Sequence, residues 1–309
     1  MTVPIARDVG SVEAAGRRLF RPSLQILPKR FRRITANLAL FTGLAVLILI
    51  VFIAIFAPLL ATADPYAQDV SRRMLPPIWH TKGSWEHVLG TDQLGRDYYS
   101  RLIYGARISL AIGFGTAIAS GAIGITLGAL AGYFGGWFDE MISFFVSVRL
   151  AIPVILVALS VAALAGSSLT IVIATLGLLL WDRFAVVTRS LFLQLREQEY
   201  VAAAHAIGFS TSWIIFREIL PNARNALIVV ATLEMAHAIL LEAALSFLGL
   251  GVLPPAPSWG LMISEGKKFM FFSPWVIALP GTALFILVLA INLFGDGLRD
   301  MSELKARAD

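Results

Sequence analysis

The sequence predicts an all-α membrane protein with six transmembrane helices. Three observations carry that expectation. Charged residues make up 15% of the 309 positions and hydrophobic ones 58%, where an ordinary soluble domain carries about 25% charge. The mean hydropathy is +0.78. The apolar residues fall into six long blocks rather than short alternating or amphipathic segments, so the bilayer is the expected solvent.

The first block, residues 36–60, follows the basic run Lys29-Arg30-Phe31-Arg32-Arg33. A helix needs roughly 20 apolar residues to cross a ~30 Å hydrocarbon core, and this block suffices. Ala61-Thr62-Ala63 imitates a signal-peptidase site. A cleavable signal, however, has an apolar region of about 7–15 residues behind a short leader, so an uncleaved anchor is expected. Further blocks run over about 108–133, 141–164, 169–191, 226–250 and 274–294. The second contains Gly121-Ala-Ile-Gly124 and Gly128-Ala-Leu-Ala-Gly132. In lipid, helices associate by close backbone packing, and small residues one turn apart permit it.

Six crossings place both termini on one side. Arg7, Arg17, Arg18, Arg21, Lys29, Arg30, Arg32 and Arg33 precede the first crossing. Basic residues there mark the cytoplasmic side, which explains much of the net charge of +5 without nucleic acid as a partner. The intervals 134–140 and 192–224 are then cytoplasmic, and 61–106 and 251–273 face outward. Arg72, Arg73, Lys82, Arg96 and Arg101 in the outer interval oppose this assignment, but the leader holds more basic residues and sits tighter against a crossing.

No catalytic constellation is present. There is no cysteine, and His80, His87, His205 and His237 are scattered, so neither a metal site nor a nucleophile–base pair is expected. The stretch from Gly260 to Lys268 has five residues between its glycines where a phosphate loop needs four, with Lys268 in place of Ser or Thr. The chain is expected to bind no cofactor and to hydrolyse no ATP itself, so transport energy must come from a partner or an ion gradient.

The cytoplasmic interval is the most informative stretch. Alanine-rich 197–207 predicts a short helix, Gly208 a bend, and Pro221 an end to the second short helix that follows. The bland reading is a surface helix between crossings. The stretch also resembles the EAA loop of ABC importer permeases, with Ala203, Ala204, Gly208, Leu220 and Pro221 at the family positions. The family's leading acid falls at Ala202, leaving Glu199 or Glu197 for any acidic contact. The segment from His87 to Leu110, with Gly90-Thr-Asp92-Gln-Leu-Gly95-Arg96-Asp97, resembles the second, C-type permease of the oligopeptide/dipeptide/nickel importers. So do Leu245–Gly251 with Pro254-Pro255-Ala-Pro257-Ser-Trp259, and Gly295-Asp296-Gly297-Leu298-Arg299-Asp300. The third crossing departs: Ser143, Phe144 and Ser147 stand at the family's Met, Arg and Asp positions, and Arg149 is new. Val186 replaces an arginine after the fourth-helix Trp.

The resemblance implies a five-helix type I ABC importer permease core over 107–298, with the coupling segment 197–221 inside it. A basic cytoplasmic leader (1–35), an N-terminal helix (36–60) and an extracytoplasmic segment (61–106) precede the core, and a cytoplasmic tail (299–309) follows. It implies a bacterial inner-membrane protein surrounded by lipid. Its implied partners are a homologous permease, two ABC ATPase subunits that use ATP and Mg, and an extracytoplasmic solute-binding protein. Peptides or similar small solutes are the implied cargo. ATPase coupling falls to Glu199, Ala203, Ala204, Gly208, Leu220 and Pro221. Outer-face docking falls to Pro254, Pro255 and Pro257, which stiffen the loop, and to Trp259.

Arg149, Asp182, Arg183, Glu234, His237 and Glu242 lie in apolar blocks, where a charge costs about 2.5–3.5 kcal/mol on insertion scales. Glu234, His237 and Glu242 fall within about 140° on one helix. Two readings stand. Arg149, Glu234, His237 and Glu242 line a translocation path, or they form interhelical pairs, for instance Arg149 with an acid. Asp182 and Arg183 are expected to be structural. An ion-coupled secondary transporter would use the same Glu and His residues, but no inverted repeat supports it. An intramembrane enzyme has no visible machinery.

Overall fold

The computed structural model describes residues 29–306, and the leader up to residue 28 and the last three residues lie outside it. Every regular element among the described residues is helical. Ten helices define the frame: α1 (Lys29–Ile55), α2 (Tyr98–Phe134), α3 (Gly136–Ala151), α4 (Val154–Ala165), α5 (Leu169–Leu179), α6 (Asp182–Leu195), α7 (Glu199–Ile207), α8 (Thr211–Phe247), α9 (Trp259–Gly266) and α10 (Trp275–Ala306). Helices α1, α2, α8 and α10 are each long and apolar enough to cross a membrane. The pairs α3–α4 and α5–α6 qualify as two more crossings, bent by 83° and 40°.

The breaks have local causes. Pro153 disfavours helical backbone at the residue before it, and Ile152 is extended at φ −102°, ψ 123°. The third crossing is thus two half-helices rather than the continuous span that its composition suggested. Pro221 acts differently. It was expected to end a helix, yet α8 runs through it from Thr211. Proline cannot donate a backbone hydrogen bond, and its ring crowds the carbonyl four residues earlier. Residues Ile214–Ile219 adopt a π-helical turn, with Leu220 N–H reaching Ile215 O. The widened turn absorbs the misfit and keeps the helix continuous.

Helix α2 is the mast of the molecule. At 37 residues it spans about 55 Å at 1.5 Å per residue, and it packs against α1, α5, α6 and α8. Its glycines mark where α6 lies on it. A Cβ on Gly124 would stand 2.3 Å from Trp181 O, on Gly128 2.5 Å from Ala185 O, and on Gly132 2.7 Å from Arg189 O. The Gly295-Asp-Gly297 motif plays the same part on α10, where a Cβ would meet Thr232 of α8 at 2.3 Å and Leu40 of α1 at 2.7 Å. Large apolar side chains such as Phe41, Ile48, Phe114 and Phe285 remain exposed on the crossing helices.

The start of α2 is capped by a folded loop. Helix α2 begins about ten residues earlier than its apolar block suggested, because Asp97 caps it by accepting from Ser100 N at 2.8 Å. Asp97 also pairs with His87 Nδ1 at 2.9 Å. Buried Asp92 accepts from Leu94 N and Arg96 N and pairs with Arg96 Nε at 2.6 Å. Glu265 of α9 then closes on Arg96 at 3.0 Å and on Arg101 at 2.8 Å. Two arginines and two carboxylates, largely removed from solvent, thus lock the loop to α9.

The two broken crossings meet at a second clasp. Arg149, in the last turn of α3, donates its Nε to Leu179 O at 2.5 Å and places Nη2 3.3 Å from Asp182 Oδ1. It therefore satisfies a carbonyl at the end of α5 and an acid at the start of α6. Of the two readings of Arg149, interhelical pairing is the one observed. Arg149→Leu should destabilise the detergent-solubilised protein by on the order of 3 kcal/mol, because it strands a buried acid. Adding Asp182→Leu should recover much of that loss, since removing both partners costs less than removing one. Thermal unfolding of the two single variants and the double variant checks this, and simple additivity would show that the pair is not coupled.

Candidate functional site

Two sites emerge from the geometry, one at the end of the bundle opposite the clamped loop and one within it. At the far end, α7 forms a short shelf between α6 and α8. Its inner side packs Val201 and Ala204 against Phe192, Ile214 and Ile219. Gly208 ends it in the left-handed region at φ 92°, ψ 21°, a conformation that side chains rarely adopt. Gly208 N–H and Phe209 N–H return to His205 O and Ala204 O, and Ser210 caps the start of α8.

The shelf is fixed by side-chain bonds. Arg196 donates to Gly132 O at 3.0 Å and to Tyr133 O at 3.2 Å. His205 Nε2 lies 3.1 Å from the Tyr133 hydroxyl, and Asn222 donates to the Tyr200 hydroxyl at 3.3 Å. Burial holds the Tyr200 phenol above its usual range. Asp139 at the start of α3 pairs with Arg189 of α6 through two hydrogen bonds. The outer side of α7 carries Glu199, Ala202, Ala203, Ala206 and Ile207, all exposed, with Ile207 at 73%. Exposed Phe209 and Phe216 continue the apolar patch.

The predicted coupling residues thus divide. Glu199, Ala203, Gly208 and Pro221 are exposed and Leu220 is half-buried. Ala204 is not available to a partner, since it is 5% exposed and packs inside its own chain. Small size at Ala204 lets α7 lie close on Ile214 and Ile219, while small size at Ala203 leaves a shallow outer face.

Within the bundle, the acids of α8 separate into two environments. Glu242 is sealed at the corner between α8 and α9, where its Oε1 accepts from Ser246 at 2.7 Å and from Ser258 at 2.9 Å. It holds the loop after α8 and does not line an open path. Glu234 is 1% exposed, yet neither carboxylate oxygen has a well-aligned hydrogen-bond donor. Arg183 Nη1 stands 3.0 Å away and His237 Nδ1 3.5 Å away. Both of these side chains reach solvent, Arg183 at 57%. Arg183 thus joins α6 to α8 through Glu234, a link that was not legible in the sequence because the pair joins two helices.

The loop after α8 also differs from expectation. Pro254 and Pro255 are exposed, whereas Pro257 is buried and Trp259 is 4% exposed. Trp259 is therefore not offered on the outer face. Its Nε1 donates to Leu102 O at 2.9 Å, and its ring occupies the space that a side chain on Gly105 would need. No group of His, Cys, Asp and Glu suited to holding a metal occurs among the described residues.

Comparison with known proteins agrees with this architecture. Residues 124–308 match the family of binding-protein-dependent transport system inner membrane components. Residues 29–77 match the N-terminal transmembrane domain of oligopeptide transport permease C. The chain is 40% identical to the dipeptide transport system permease protein DppC of Alkalihalophilus pseudofirmus, over 90% of each chain. It is 34% identical to the oligopeptide transport system permease protein OppC of Bacillus subtilis, over 99% of this chain and 97% of the relative. Among solved structures, a chain of the MetNI methionine ABC transporter in an inward-facing conformation aligns with a TM-score of 0.53 and 20% identity. That alignment covers 63% of this chain and 93% of the other, and it bears on the fold alone. A family match across more than half the chain, with relatives at this identity along its length, establishes that the chain is a multi-pass inner-membrane permease of the binding-protein-dependent ABC importers.

Proposed function

We propose that the chain forms half of the translocation path of a peptide importer and takes its energy from a separate ATPase through α7. One observation carries the coupling part of this reading. A two-and-a-half-turn helix lies against the bundle, braced on its inner side and showing an outer face of small and apolar residues beside Glu199. Bracing suits a lever, because force on Ala203 or Ile207 passes through Val201 and Ala204 into α6 and α8. The homologous permease, the two ATPase subunits and the extracytoplasmic binding protein complete the machine, with ATP and Mg bound by the ATPases. Peptide cargo is inferred from the dipeptide and oligopeptide relatives. Pro254 and Pro255 remain the outer-face residues free to meet the binding protein.

Membrane orientation belongs to the same reading, with α7 and both termini in the cytoplasm. The basic run before α1 supports it. A reporter fused after Asp309 should read as cytoplasmic, and one inserted near Lys82 as external. An external C-terminus would overturn the six-crossing arrangement or its direction.

The coupling role has its own test. Ala203→Glu puts an unpaired charge on the outer face of α7 without touching the braced side. Gly208→Pro removes a backbone donor and forbids the left-handed turn. Each should weaken ATPase association by a few kcal/mol, about a hundredfold in binding, while membrane insertion persists because no crossing changes. ATPase co-purification and ATP-dependent uptake by the reconstituted importer are the measurements. Retention of both by both variants would show that α7 is not the coupling element.

A further inference from the structure

On α8, Leu220, Arg224, Leu227, Ala231 and Glu234 recur at spacings of four, three, four and three residues, so they share one stripe. The lower part of that stripe forms one wall of a groove of about 310 Å³, completed by Ala117 and Gly121 of α2 and Phe184 of α6. The groove is apolar except for Arg224. Glu234 lies one turn beyond Ala231, and its nearest cation, Arg183, is the residue before Phe184. Arg224 is thus the one charged residue in the groove's lining, and buried Glu234 lies outside that lining, one turn past Ala231.

Glu234 differs from the other intramembrane acids in being left hungry. Asp182 is clasped by Arg149, and Glu242 takes two hydroxyl bonds. Glu234 has only an arginine that is more than half exposed and a histidine at 3.5 Å, and no aligned donor. The buried carboxylate needs a cation beside it, and the one it has comes from a side chain that is largely outside the packed interior.

We propose that this groove is a transit site for a short peptide with free termini. Glu234 takes the ammonium in place of Arg183, Arg224 takes the carboxylate, and the peptide's side chains lie on Ala117, Phe184 and Leu227. Ten helical residues separate the two charged positions, about 15 Å along the axis. An extended chain spans about 3.3–3.6 Å per residue, so a peptide of roughly four residues bridges them, and shorter ones fit as the two long side chains lean inward. This inference rests on the peptide-importer reading above.

The chain has no cysteine, so Ala231→Cys supplies its sole thiol. In the intact reconstituted importer, maleimide labelling of that thiol should slow about tenfold when a free-terminus tetrapeptide is supplied directly at the α7 face. The N-acetylated, C-amidated form of the same peptide should give little protection. Glu234→Gln added to Ala231→Cys should abolish the difference between the two peptides, and Glu234→Asp should partly restore it. Equal protection by both peptides overturns the proposal, as does selectivity unchanged by Glu234→Gln. So does quantitative crosslinking of the Ala231→Cys thiol to the homologous permease in every nucleotide state, which would make the groove a subunit seam. Should Glu234→Gln fail to assemble, the two peptides on the Ala231→Cys background alone decide. Absence of ATP-dependent peptide uptake by the unmodified importer would instead contradict the peptide-importer reading.

Discussion

Close backbone packing along α2 is the constraint on which the rest of the structure depends. Lipid offers no hydrophobic force between helices, so association relies on contact area and on satisfied polar groups. Gly124, Gly128 and Gly132 let α6 approach until its carbonyls stand where side chains would otherwise be. That approach sets the position of Trp181 and Asp182, and hence of the break between α5 and α6. The break brings Asp182 to Arg149 and Arg183 to Glu234. The far end of the same α6 carries Phe192, against which α7 is braced. A bulky residue in the glycine stripe would therefore disturb both the intramembrane charges and the α7 shelf.

The two ends of the bundle are built for different duties. At the loop end, Asp92, Arg96, Arg101 and Glu265 form an interlocked set with little access to solvent. Such a set contributes less to net stability than its contacts suggest, because desolvating four charges offsets much of the attraction. What it does impose is register, since the loop, α2 and α9 fit together in one way only. The α7 end is held by fewer and more exposed bonds, among them His205 to Tyr133 and Asn222 to Tyr200.

Much of this was legible in the sequence because it rests on local signals. Blocks of twenty apolar residues, glycines one turn apart, and an alanine run ending at Gly208 each report their own surroundings. The motif from Gly90 to Asp97 was visible as a family signature, and its physical meaning, a loop turn held by Asp92 and a helix cap made by Asp97, came from the structure. What stayed hidden depends on distant partners. Glu265 meets residues more than 160 positions earlier, and Arg183 meets Glu234 from another helix. Trp259 was assigned to the outer docking face because a tryptophan after prolines gives the same local signal whether it is exposed or fills the gap above Gly105. Ala204 was misassigned because alanine serves inner and outer helix faces alike. Pro221 was misread because a π turn that relieves proline strain leaves no local mark.

The central claim is that nucleotide binding by the partner ATPases moves α7 relative to a fixed loop end. Spin labels on Ala206→Cys and Trp85→Cys in the assembled importer report the distance between the two ends, and both parent side chains are exposed. A second pair on Trp85→Cys and Leu253→Cys reports the loop end alone. The account predicts that ATP shifts the first distance distribution relative to the nucleotide-free state and leaves the second unchanged. Identical distributions for the first pair in both states would contradict it.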